Sequence, residues 1–229
     1  MIKLSLNKQR AVYQKIWDKY SSQIKQGKLK PRRKSFVWYG RDWIRSDNPP
    51  FLAAVFKIPS TSWAPIQLIQ ANLERSDPRQ KYHHPNYFHI TLKEYGWEDK
   101  VDLRETLRIM RKMLSFYSPF EIQLKGLNCF SRAIIVQVFD RSQSLPRMYK
   151  DIRRGFPSLE EDPFEYVPHV AIADIVTDEA RNLLTLIEER YREKEIGPIK
   201  VDGIHIVRAR PYLTVGRIET IETIRLKLS

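Results

Sequence analysis

From Phe51 onward the sequence passes twice through the same order of short elements, strand–helix–strand–helix–strand, which limits the chain to two related halves. In the first half, 51–58 is a compact apolar run stopped by Pro59, and 60–76 carries Ile66, Ile69 and Leu73 on one helical face. A second strand is expected at 87–95. A helix at 99–117 follows, with Leu103, Leu107, Met110 and Leu114 in register behind Asp99 or Asp102. Phe120, Ile122 and Leu124 then alternate as a strand should, with Gly126 marking its end. The second half offers a β-branched strand at 133–139 and a helix at 145–156 whose Pro146 is tolerable only in the first turn. A strand at 167–175 and a helix at 178–192 follow, the latter aligning Ala180, Leu183, Leu184 and Ile187. Closing strands are expected at 199–209 and 212–218, and one more at 221–228. The halves share an order of elements rather than a sequence, and no short-period repeat is present.

The first fifty residues differ. They hold 13 Lys/Arg against 3 Asp/Glu, whereas 51–229 hold 27 against 24. A near-neutral globular part, 51–229, therefore carries a basic leader, 1–50. Val12, Tyr13, Ile16, Trp17, Tyr20 and Ile24 recur at three- and four-residue steps and predict one helix with an apolar stripe. Asn7 is expected to cap its start and Gly27 its end. A basic amphipathic helix suits a membrane surface, but an aromatic stripe is better served by docking on the main domain. Residues 28–50 read as a connector with one strand at 35–39. The leader's charge adds a salt-sensitive attraction to phosphates, and a solvated solubility arm is the bland alternative.

Several function classes drop out. The longest apolar run, 51–56, is too short to span a bilayer, and the N-terminus lacks the apolar region of a secretory signal. One cysteine, Cys129, excludes an intramolecular disulfide and an all-thiolate metal site. No phosphate-cradling glycine motif occurs. A soluble, cytoplasmic monomer that engages no membrane is expected.

Of the five histidines, two stand in matching positions, His89 in Phe88-His89-Ile90-Thr91-Leu92 and His169 in Pro168-His169-Val170-Ala171-Ile172. Strand side chains alternate, so His89 shares a face with Thr91 while Ile90 and Leu92 go to the core; His169 and Ala171 pair in the same way. If those strands lie side by side, two imidazoles face one cleft. Imidazole has an unperturbed pKa near 6.5, so one can accept a proton from a hydroxyl while the other donates to a departing oxygen. That arrangement suits phosphodiester cleavage without a metal or organic cofactor. A neighbouring hydroxyl would donate to a phosphate oxygen as charge builds. His83, His84 and His89 make a poor metal cluster because Pro85 breaks the ligand geometry. His205 reads as a sheet-face residue, and Glu160-Glu161-Asp162 as a solvated loop.

These segments resemble the two-histidine phosphoesterase superfamily, which includes the 2'-5' RNA ligases and cyclic phosphodiesterases. Its members carry two His-x-Thr/Ser-x motifs, one per lobe. His89-Ile90-Thr91-Leu92 matches the first, Pro168-His169-Val170-Ala171-Ile172 approaches the second, and 119–127 resembles the stretch between them. The resemblance covers about 51–220 and leaves the leader outside. It implies an α+β fold of two related lobes, each an antiparallel sheet with helices on its outer face, around a central cleft, with the leader as an N-terminal helical extension. It implies His89 and His169 as the acid–base pair, Thr91 as a phosphate ligand, and RNA or a nucleotide with a 2',3'-cyclic phosphate as substrate. In hydrolysis to the 2'-phosphate, His169 would activate water and His89 would protonate the leaving 3'-oxygen. Ala171 occupies the second motif's substrate-binding position but lacks its hydroxyl. A backbone N–H, Tyr166, Arg210 or Tyr212 is available to stand in. The rival expectation is an RNA-binding module with a degenerate site.

Overall fold

The computed structural model describes residues 2–28, 37–39, 42–44, 50–157, 166–177, 179–209 and 218–227. In chain order the elements are α1 (Ile2–Lys25), β1 (Val37–Tyr39), β2 (Asp42–Ile44), β3 (Phe51–Lys57), α2 (Trp63–Ser76), β4 (Lys81–Tyr82), β5 (His89–Trp97), α3 (Leu103–Leu114), β6 (Phe120–Phe130), β7 (Ala133–Phe139), α4 (Ser144–Gly155), β8 (His169–Asp174), α5 (Arg181–Leu186), β9 (Glu195–Val201), β10 (Gly203–Ala209) and β11 (Ile218–Arg225). Single 3-10 turns precede α2, β5 and α3, and a wide π turn, Ile187–Tyr191, extends α5.

Two antiparallel sheets organise the chain. One runs β11-β10-β3-β5 and the other β4-β8-β7-β6-β9; β1 and β2 form a separate hairpin. The strands that begin with His89 and His169, β5 and β8, pack against each other where the two sheets meet. Ile90, Leu92, Val170 and Ile172 are fully buried in one core with Ile66 and Leu73 of α2, Met110 of α3, Met148 of α4 and Leu183 of α5. These four helices therefore cover one side of the sheets, and the expected α+β two-lobe architecture holds.

Two of the expected strand boundaries differ for one reason. The strand predicted to end at Gly126 continues to Phe130 through a bulge, where the apolar parity switches from Ile122 and Leu124 to Leu127 and Cys129. Gly126 has φ +74°, and a Cβ there would lie 2.2 Å from the Arg192 carbonyl oxygen, so the bulge requires glycine. The strand predicted over 199–209 is two strands in different sheets. Asp202 is the crossing point, and the parity again switches, from Ile199 and Val201 to Ile204 and Ile206. Of the strand expected at 212–218 only Ile218 lies within the described residues.

The leader's helix is docked. It starts at Ile2, so Asn7 is inside it rather than at its cap. It ends as expected at Gly27, whose φ of +65° lets the Lys28 N–H reach back to the Gln23 carbonyl. Trp17 and Ile24 are buried in the main core, with the Arg192 guanidinium 4.4 Å from the Trp17 ring centre. Tyr13 joins Ile135 and Phe139 in a second cluster that includes Ala171. That cluster lies on the sheet face opposite Val170 and Ile172, the face shared by His169. The buried Tyr13 hydroxyl accepts from the Val138 N–H at 2.9 Å and lies within hydrogen-bond reach of the Val138 and Pro168 carbonyls. The Asn128 amide donates to the Tyr13 carbonyl at 2.8 Å.

Tyr13→Phe keeps the ring but strands the buried Val138 N–H. Urea unfolding is expected to show a loss of about 1–3 kcal/mol with an unchanged far-ultraviolet spectrum.

Candidate active site

Alternation along β5 and β8 fixes what can face the cleft. His89 and Thr91, and His169 and Ala171, are half-buried, while their neighbours Ile90, Leu92, Val170 and Ile172 are sealed in the core. The two imidazoles are held in the same way. His89 Nδ1 is 2.6 Å from the Tyr87 carbonyl oxygen, and His169 Nδ1 is 2.8 Å from that of Val167, each two residues upstream. A carbonyl only accepts, so Nδ1 carries the hydrogen in both rings and Nε2 is left for chemistry.

Their protonation is coupled. Burial is the main cause that lowers the His89 pKa from 6.5 to about 4, and His169, His83 and Lys57 add repulsion. Burial also lowers His169, whose Val167 contact works in the other direction. The ring of Phe130 packs 5.3 Å from that of His169 and contributes to its desolvation.

Packing brings in groups that the motifs did not reveal. Lys57 is the register partner of His89 across β3 and β5, with its Nζ donating to Thr220 Oγ1 at 2.6 Å and its pKa lowered by burial. His83 follows β4, which pairs with β8; its Nδ1 is 3.3 Å from the Ala171 carbonyl oxygen and its Nε2 is 3.3 Å from Asp174 Oδ2. Lys57 had no motif to announce it, although its place at the end of the strand before Pro59 is visible in the sequence. His205 stands, as expected, on a sheet face, 3.0 Å from Thr223 Oγ1. His84 instead caps the turn that leads into β5, accepting from the Asn86 N–H. Among the described residues no group of three His, Cys, Asp or Glu side chains is placed to hold a metal ion.

The position of the missing hydroxyl is also explained. Ala171 packs in the apolar cluster of Tyr13, Ile135 and Phe139. Tyr166 is a poor substitute donor, because its hydroxyl already donates to the Thr91 carbonyl at 3.1 Å. Arg210, Tyr212 and the 160–162 loop lie outside the described residues.

Two antiparallel sheets, each carrying one strand-borne histidine where they meet, are the arrangement expected of a two-histidine phosphoesterase. The model of the 2'-5' RNA ligase superfamily matches residues 58–216, and the chain belongs to that family. It is similar to a protein of Methanothermobacter thermautotrophicus named RNA 2',3'-cyclic phosphodiesterase, with 26% identity over 149 residues, covering 63% of this chain and 81% of the relative. Its fold is similar to a Thermus thermophilus structure at TM-score 0.60 and 18% identity, covering 77% of this chain and 97% of the other. Escherichia coli LigT, solved with 3'-AMP, shares the fold at TM-score 0.58 and 12% identity, covering 79% and 99%. The family is one of enzymes, and the reading as an RNA-binding module with a degenerate site gains no support from these relatives. Among the described residues no helix is long and apolar enough to cross a membrane.

The depressed His89 pKa has a thermodynamic sign. Between about pH 6.5 and 4 the unfolded chain takes up a proton at position 89 that the native chain refuses. Stability therefore falls as pH drops through that window, by on the order of 2–3 kcal/mol. Urea midpoints measured across it are expected to decline less steeply in His89→Gln than in the parent.

Proposed function

We propose that this chain is a metal-independent RNA 2',3'-cyclic phosphodiesterase, acting as a cytoplasmic monomer. Water attacks the cyclic phosphorus, the bond to the 3'-oxygen breaks, and a 2'-phosphomonoester remains. With a 5'-hydroxyl in place of water, the same displacement yields a 2'-5' phosphodiester. The observation that carries this reading is the matched anchoring of His89 and His169, each presenting Nε2 from the end of its strand. The name of the methanogen relative supports the substrate class.

Electrostatics favours one order of roles. His89 has Lys57 and His83 near it, and both disfavour its protonation, whereas burial alone depresses His169. The first proton of the pair therefore goes to His169. We assign His89 as the base that takes the proton from the attacking water and His169 as the acid that gives one to the departing 3'-oxygen, the reverse of the order implied by the family resemblance. Thr91 donates its hydroxyl to a non-bridging oxygen, and Lys57 adds positive charge on the same side. With Ala171 opposite, the phosphate is held asymmetrically.

The test uses an oligoribonucleotide ending in a 2',3'-cyclic phosphate, with EDTA present. His89→Ala and His169→Ala are each expected to lower kcat by about 100- to 10,000-fold. A 2'-phosphate formed equally by the parent and both variants would sink the proposal. Replacing the 3'-oxygen by sulfur gives a leaving group that needs no proton. That substrate is expected to restore turnover in His169→Ala and not in His89→Ala; the opposite pattern would reverse the two roles. For the parent, kcat/KM is expected to peak between about pH 4 and 6.5 and to decline above it as His169 loses its proton.

A further inference from the structure

The terminal phosphate accounts for one end of an RNA substrate, and a second feature beside the site suits the nucleotide before it. A cavity of about 320 Å³ lies between α1 and α4, within the size range of small-ligand pockets. Its wall includes Tyr166 and Pro168, so it is built from the segment that enters β8. Pro168 adjoins His169 in the chain, and consecutive Cα atoms are about 3.8 Å apart. The Tyr166 hydroxyl is bonded to the carbonyl of Thr91, which ties the same wall to the other motif.

The cavity's chemistry is one-sided. Tyr149 and Tyr166 stack with ring centres 4.4 Å apart and give it an aromatic wall. Lys8 of α1 and Lys150 and Arg153 of α4 line it, and no carboxylate does among the described residues. Both lysines are exposed. An apolar, aromatic wall next to a cationic rim matches a nucleobase and its phosphate rather than an uncharged ligand. Lys8 also lies outside residues 58–216, the stretch that the family model matches.

We infer that this cavity is an upstream RNA subsite, which takes the nucleotide on the 5' side of the terminal cyclic phosphate and holds its phosphate with Lys8 and Lys150. The inference rests on the phosphodiesterase reading for its register, and it makes α1 part of the substrate-binding surface. A free nucleoside 2',3'-cyclic phosphate would leave the subsite empty, whereas an oligoribonucleotide would fill it.

The test compares the parent with Lys8→Glu/Lys150→Glu, and with Lys194→Glu/Lys200→Glu as a charge-matched control of exposed lysines at the far edge strand β9. Two substrates are used, a nucleoside 2',3'-cyclic phosphate and a short oligoribonucleotide with the same terminus. Binding of a fluorescent oligoribonucleotide with a terminal 3'-phosphate is followed by anisotropy. The double variant is expected to raise KM for the oligonucleotide about tenfold at low salt, with KM for the mononucleotide unmoved. Its binding should lose about 1.4 from the slope of log K against log salt, the share of two phosphate contacts on a single strand. Lys194→Glu/Lys200→Glu should match the parent. Equal loss on both substrates, or an oligonucleotide affinity that the double variant leaves unchanged, would overturn the subsite. If neither substrate turns over but the variant loses oligonucleotide binding with the reduced salt slope, the subsite stands and the phosphodiesterase reading fails.

Discussion

The architecture depends on burying every second residue of two strands. Ile90 and Leu92 in β5, and Val170 and Ile172 in β8, must enter the shared core, and each contributes a few kcal/mol by leaving water. Strand geometry then leaves no choice for their neighbours, and His89, Thr91, His169 and Ala171 face the other way. A slip of one residue in either strand would bury an imidazole and expose an isoleucine or a valine. The site is thus specified by the same apolar contacts that hold the sheets to their helices.

Facing the cleft is not sufficient for acid–base chemistry. Each ring must also present the same nitrogen, and the carbonyl two residues upstream ensures this through Nδ1. Desolvation then keeps both rings neutral down to lower pH than free imidazole, and repulsion resists a second proton once the first has arrived. Lys57 and His83 beside His89 make the pair unequal. In the proposed acid–base pair, that inequality decides which ring holds the first proton.

Much of this was legible in the sequence because it rests on periodicity. The apolar alternation around His89 and His169, the strand over Ala133–Phe139 and the stripe from Val12 to Ile24 each reflect one buried face. The two misread strand boundaries fell where the parity of burial switches. Gly126 and Asp202 both mark such a switch, and a pattern read in one phase either stops at it or runs through it. The sequence could have shown this, since Ile122 and Leu124 are followed by Leu127 and Cys129. What it could not show is which partners packing supplies. Lys57 meets His89 only through β3–β5 register, His83 reaches the site only because β4 pairs with β8, and the two carbonyl anchors depend on local backbone shape. The place of α1 beside Ala171 likewise follows from a contact between residues far apart in the chain, Tyr13 and Pro168.

If His89 and His169 share one site, as proposed, the protonation of one ring must depend on the other. This dependence is tested most directly by following the ring signals of His89 and His169 by NMR during a pH titration, in the parent and in His169→Gln. The expected His89 midpoint is about 4, and it moves up when the His169 ring is removed. Midpoints for both rings near the free-imidazole value of about 6.5, with His89 unmoved in the variant, would contradict it.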